Sequence, residues 1–179
     1  MREFVEHQPR QVAYADGDST FNESFATSVE LEGVRRWLAH AGSDAERTEF
    51  DAMQVRKRDF VALVERTRER LDRLYASGLP AEAMRTAKRV AFDDMRLEYA
   101  ALKRTWGGFA GYDRWFAQPL GNAHLASIAT YTQHLPAFEA LLAREQGVLP
   151  HLYAQAKRLA RLPQAERDRE LDTLIPREP

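Results

Sequence analysis

The side chains that could do chemistry in this chain are few and mostly hydrogen-bonding or acidic. His40, His124, His134 and His151 are dispersed with no pair four residues apart, so none reads as one of two imidazoles gripping a metal from one helix face. The chain has no cysteine, which removes thiolate ligands, a thiol nucleophile and a disulfide framework, and leaves cytosol and periplasm equally open. No Ser-His-Asp signature is present, and the Gly107-Gly108 pair lacks the lysine and preceding strand of a phosphate-binding loop. Tyr14, Tyr112 and Tyr131 are phenols able to stabilise a tetrahedral oxyanion, although most such tyrosines only pack, with the hydroxyl satisfied. Asn122 reads first as a helix cap and, more sharply, as a pocket-lining amide. Trp106, Tyr112 and Trp115 suit either the wall of a cleft or a core. Glu23 on its own does no more than favour the positive end of a helix.

These residues hang on helices. Residues 23–40 carry Phe25, Val29, Val34, Trp37 and Leu38 at roughly helical spacing, with Gly42 suited to a left-handed stop. Ser43 or Asp44 can cap a long helix over 44–77, whose inner positions are Met53, Phe60, Val64, Leu71 and Leu74. Gly78 and Pro80 separate it from a third helix over 80–103, carrying Met84, Ala87, Val90, Ala91, Met95, Tyr99 and Leu102. Two long helices joined so tightly form an antiparallel hairpin. A glycine- and aromatic-rich stretch, 105–120, precedes shorter helices over 122–133, 136–145, 150–161 and 163–173. Alternating β-branched runs are nearly absent, so the expected fold class is all-α, a long helical hairpin plus several shorter helices, with a turn at 16–18.

Charge narrows the partners. Lys plus Arg (26) nearly balances Asp plus Glu (27) in the 179 residues, so there is no concentrated positive charge to drive binding to nucleic acid or an anionic membrane. The basic run 66–73 is preceded by Glu65 and interrupted by Glu69 and Asp72, so it reads as a solvated, ion-paired helix face. No apolar run reaches the ~20 residues of a membrane span, and residues 1–10 lack the apolar stretch of a signal peptide.

Several separated segments carry a resemblance. Residues 11–26 run Gln-Val-Ala-Tyr-Ala-Asp-Gly-Asp-Ser-Thr-Phe-Asn-Glu-Ser-Phe-Ala and continue through Glu-Gly-Val-Arg-Arg-Trp-Leu at 32–38. Further on stand Trp-Gly-Gly-x-x-Gly-Tyr-Asp-x-Trp-Phe at 106–116, Asn-Ala-x-Leu-Ala at 122–126, Tyr131, and Pro-Ala-Phe-Glu at 136–139. In this order they resemble the C-terminal half of a family of predicted bacterial zinc aminopeptidases. The resemblance implies the helical part of a zincin-type peptidase that hydrolyses N-terminal peptide bonds. It implies a helix bearing His-Glu-x-x-His just before the Tyr and the Gly-Asp turn, where two imidazoles one helical turn apart bind Zn²⁺ and the Glu activates water. It also implies Glu23 as the third zinc ligand, Tyr131 or Tyr14 as oxyanion stabiliser, and Asn22, Trp106, Tyr112 and Asn122 on the peptide-substrate side.

The chain departs from that pattern at the metal. The five motif positions hold Glu6, His7, Gln8, Pro9 and Arg10. Both histidine positions are empty of histidine, His7 stands at the general-base position, and Arg10 places a permanent cation where the ion belongs. Pro9 removes a backbone donor and disturbs an upstream helix. His7 and Glu23 together are too few ligands for tight zinc. Gly121 also stands where the family has a second Asn. The expectation is a family member whose residues 1–10 are unrelated or disordered sequence, whose residues 11–179 form the helical C-terminal region, and which is truncated, catalytically impaired and does not hold zinc tightly. Apolar surface left uncovered by such a truncation leads to self-association. The alternative is a non-catalytic helical interaction module that keeps the scaffold. No compartment follows, since members of the family often carry an envelope-targeting leader.

Overall fold

Asp18 starts the first helix, and it does so earlier than the apolar spacing predicts. In the computed structural model, which describes residues 13–175, its Oδ1 accepts the Phe21 N–H at 2.9 Å. That satisfies one of the amides a helix start leaves unpaired, so α1 spans Ser19–Ala41 rather than 23–40. The expectation for residues 1–10, with His7 among them, lies outside the described residues. The remaining helices are α2 (Asp44–Tyr75), α3 (Ala81–Thr105), α4 (Asp113–Phe116), α5 (Asn122–Thr132), α6 (Leu135–Arg144), α7 (Leu149–Ala160) and α8 (Gln164–Leu174). The fold is all-α, with no strand among the described residues. No helix there is long and apolar enough to cross a membrane.

Two local expectations are corrected. Gly42 is not left-handed: its φ of -82° and ψ of 150° are extended. Glycine is needed there for space, because an added Cβ would sit 2.7 Å from the Leu38 carbonyl oxygen. The stripe on α1 also differs. The buried positions are Phe21, Ser24, Phe25, Ser28, Val29, Leu31 and Leu38, whereas Trp37 is 57% exposed and Val34 37%. At 100° per residue, Trp37 lies roughly 160° around the helix from Phe21. The two serines hide the true stripe from a purely apolar count.

The chain divides into two compact units, one formed by residues up to Gly42 and from Ala129 onward, the other by Ser43–Ile128. In the first, α6 packs against α1, α7 and α8. Its core holds Phe21, Phe25, Phe138, Leu152, Leu159 and Leu171, with the Phe21 and Phe25 rings each 5.3 Å from Phe138. Each such buried side chain contributes about 1.5–3 kcal/mol.

The second unit is the predicted hairpin of α2 on α3, completed by α4 and the start of α5. Ser43 caps α2 with a reciprocal capping box to Glu46. Leu63, Val64, Met95 and Leu125 form the centre. Tyr99 stacks on Phe116 at 3.9 Å and Phe60 on Tyr112 at 4.3 Å. Met53 and Val90, expected inside, are exposed, whereas Leu63, Thr67 and Phe92 are among the buried residues of α2 and α3. Across the hairpin, Arg66 and Arg70 donate to Glu98 at 3.4 and 2.9 Å. Burial pushes the Glu98 carboxyl up, but the two guanidiniums more than offset it and hold the group below the usual range.

Candidate functional site

The segment leading into α1 is built as a turn pinned to the helix it precedes. Asp18 N–H donates to the Ala15 carbonyl at 3.2 Å, and Gly17 takes a φ of 75° between them, a conformation that disfavours side chains. Asn22 closes the turn from the helix side. Its Oδ1 accepts the Ala15 N–H and its Nδ2 donates to the Ala15 carbonyl, both at 2.9 Å. Ala13 and Ala15 are buried and Tyr14, between them, faces out.

A buried ion pair then ties this start to the far end of the chain. Arg167 of α8 donates from Nε (3.0 Å) and Nη2 (2.6 Å) to Asp18 Oδ2, and from Nη1 to the Leu162 carbonyl at 2.9 Å. The two side chains are only 4% and 3% exposed. The guanidinium also lies 5.1 Å from the centre of the Phe21 ring. Both Asp18 oxygens are therefore spent, one on the helix cap and one on the cation. Such geometry holds a charge pair inside a protein only when the hydrogen bonds are nearly complete, as they are here.

Beside it lies a second buried polar group. His134 caps the approach to α6, its backbone N–H donating to Ser24 Oγ at 3.3 Å, and its Nε2 is 3.6 Å from Asp168 Oδ1. That oxygen is buried and accepts no hydrogen bond from the described residues. Burial holds the imidazole below its ordinary range, against the opposing pull of Asp168, Asp18 and Asp172.

Glu23 is the fifth residue of α1, half-buried, one turn on from the pinned start. Asn22, Tyr14 and Tyr131 belong to the same unit as Glu23; Tyr131 is half exposed and Tyr14 slightly more. Trp106, Tyr112 and Asn122 belong to the hairpin unit. There Trp106 and Tyr112 do come together, 5.8 Å apart, with Trp106 Nε1 donating to Asp59 at 2.8 Å. Burial raises the Tyr112 hydroxyl, with Arg56 pulling the other way. Next to them, Asp113 accepts from Lys103 at 2.6 Å and from Tyr99 at 2.5 Å. The Lys103 bond, then the Tyr99 bond, hold the Asp113 carboxyl low; burial and then Asp113 push the Tyr99 hydroxyl well up. Asn122 opens α5 and accepts from the Tyr75 hydroxyl at 3.0 Å.

Zinc is what the resemblance implies, and the positions of its two imidazoles, Glu6 and Arg10, lie outside the described residues. Among them no group of three or more His, Asp or Glu is arranged to hold a metal ion. Near Glu23 in sequence, Asp18 is consumed by Phe21 and Arg167; elsewhere in the same unit, His134 is turned towards Asp168. Nothing in the sequence marks Arg167 or Asp168, and His134 reads there only as one of four dispersed imidazoles. Arg167 and Asp168 lie in a polar, highly charged helix that gives no sign of an inward-facing cation, and only the Gly-Asp turn hinted that Asp18 mattered.

A family model described as "Putative aminopeptidase" matches residues 4–171. No curated protein and no solved structure matches the chain.

Proposed function

The chain belongs to that aminopeptidase family, and from this premise we propose that it is a zinc-peptidase relative, built to face a peptide, in which the metal-dependent hydrolysis of N-terminal peptide bonds is impaired. The observation that carries the reading is the contrast between two neighbouring stretches. The turn and helix start around Glu23 are held by the buried Asp18–Arg167 pair and by both amide bonds of Asn22, as a site on a rigid element requires. Immediately upstream, the positions for two imidazoles and a carboxylate base hold Glu6, Arg10 and His7. Glu23 is then the carboxylate of a ligand set whose two imidazole positions carry Glu6 and Arg10, the latter a permanent cation.

Isothermal titration with zinc and an aminoacyl-arylamide assay test this directly. The chain is expected to show neither stoichiometric micromolar binding nor turnover. A Glu6→His/His7→Glu/Pro9→Ala/Arg10→His variant is expected to gain zinc binding that Glu23→Ala then abolishes. Tight zinc and turnover in the unaltered chain would sink the proposal.

A second reading, a non-catalytic interaction module, is favoured by Trp37, an indole 57% exposed on α1, since large exposed aromatics are typical of interface anchors. Sedimentation of the unaltered chain against Trp37→Ser separates it: loss of self-association in the variant supports the module.

A further inference from the structure

On the hairpin unit, the geometry points to a groove on α3 that binds an acidic peptide segment carrying one apolar side chain. The groove, about 440 Å³, is lined by Arg85, Lys88, Arg89 and Arg96 together with Phe92 and Leu120. The cations recur at helical spacing on one face of α3, and the surface between them is largely apolar. Arg96 pairs with Asp93 at 3.1 Å. Arg85, Lys88 and Arg89 have no carboxylate within ion-pair distance among the described residues, and Arg89 donates only to Thr86, at 3.2 Å. This contrasts with the same helix one turn further on, where Glu98 takes two arginines. Three uncompensated cations beside apolar surface select a partner with the opposite charge and something to bury.

The dimensions and chemistry favour a peptide. Arg85 to Arg96 spans about 16 Å along the axis at 1.5 Å per residue, the length of about five extended residues. Phe92 is 5% exposed and packed in the core, so it offers no face for stacking bases, which single-stranded nucleic acid needs. Asp93 on the rim, 72% exposed, repels a continuous phosphate backbone but tolerates spaced carboxylates. A membrane surface requires protruding apolar side chains, whereas Phe92 is buried and Leu120 packs half-buried against the core. Half-buried Leu120, with the aliphatic stems of the flanking cations, gives the partner's apolar side chain its contact; the arginines and Lys88 give direction and rate of association.

The test is fluorescence anisotropy with labelled Asp-Glu-Leu-Glu-Asp on the full chain. Saturable binding at low salt is expected, weakened about tenfold or more by Lys88→Glu/Arg89→Glu and about tenfold when the central Leu of the probe becomes Gly. Arg58→Glu/Arg73→Glu, two exposed charge reversals outside the groove that match the test variant in charge, is expected to leave affinity within about twofold. Circular dichroism melts verify that the variants fold. Absence of saturation, equal affinity for the Gly probe, or an equal loss with Arg58→Glu/Arg73→Glu overturns the assignment. So does tighter binding of an oligothymidylate or of phosphatidylserine vesicles than of the peptide. The groove lies outside the proposed peptidase segment, so failure here leaves the peptidase reading intact, and the converse holds.

Discussion

Replacing Arg167 by Met tests how the start of α1 is held. The methionine fills much of the same volume but leaves the Asp18 carboxylate, only 3% exposed, with the Phe21 N–H as its remaining hydrogen bond. Removing one partner of a buried ion pair costs about 3–5 kcal/mol, because the other charge stays desolvated. The lost bond to the Leu162 carbonyl adds about 1 kcal/mol or less. At 1.36 kcal/mol per decade, amide exchange in the middle of α1 should accelerate by roughly 10²–10⁴. Mass-spectrometric hydrogen exchange on peptides covering Phe25 to Leu31 reads this directly. The double variant Asp18→Asn/Arg167→Met keeps an acceptor for the helix cap and removes the stranded charge, so it should be more stable than Arg167→Met alone. Acceleration below about tenfold in the single variant, or a double variant no better than the single, would refute the assignment of this pair as what secures the turn.

Three further outcomes follow from neighbouring details. His134 has an imidazole held low by burial; the unfolded chain therefore binds the extra proton first, and the associated stability is present above the unfolded value near 6.5 and lost as pH falls. Thermal melts should drop between pH 7.5 and 5.5, with a shallower slope in His134→Gln. Gly42→Ala forces a Cβ against the Leu38 carbonyl and should destabilise by about 1–3 kcal/mol in urea unfolding, which a neutral result would contradict. Ser43→Ala removes the capping box of α2 and should cost about 1 kcal/mol, seen as faster exchange in the first turn of α2.

Much of this protein is local, and what is local was legible in its residues. The hairpin needs only two long amphipathic patterns and a short break between them, and the short helices open at prolines that cannot sit further inside. The segment around Glu23 could be found because its residue types and order are distinctive over a contiguous stretch. Tertiary structure decided what depends on distant neighbours. Asp18 meets a cation 149 residues away, and nothing in the polar pattern of α8 tells an inward arginine from a solvated one, since only the enclosing core removes the water. The same holds for Trp37, left outside because Ser24 and Ser28 lie on the buried face of α1, and for Val90 and Met53, exposed while Thr67 is buried. Hydrophobicity along one helix ranks candidates for burial; which of them is covered depends on where the next helix lies.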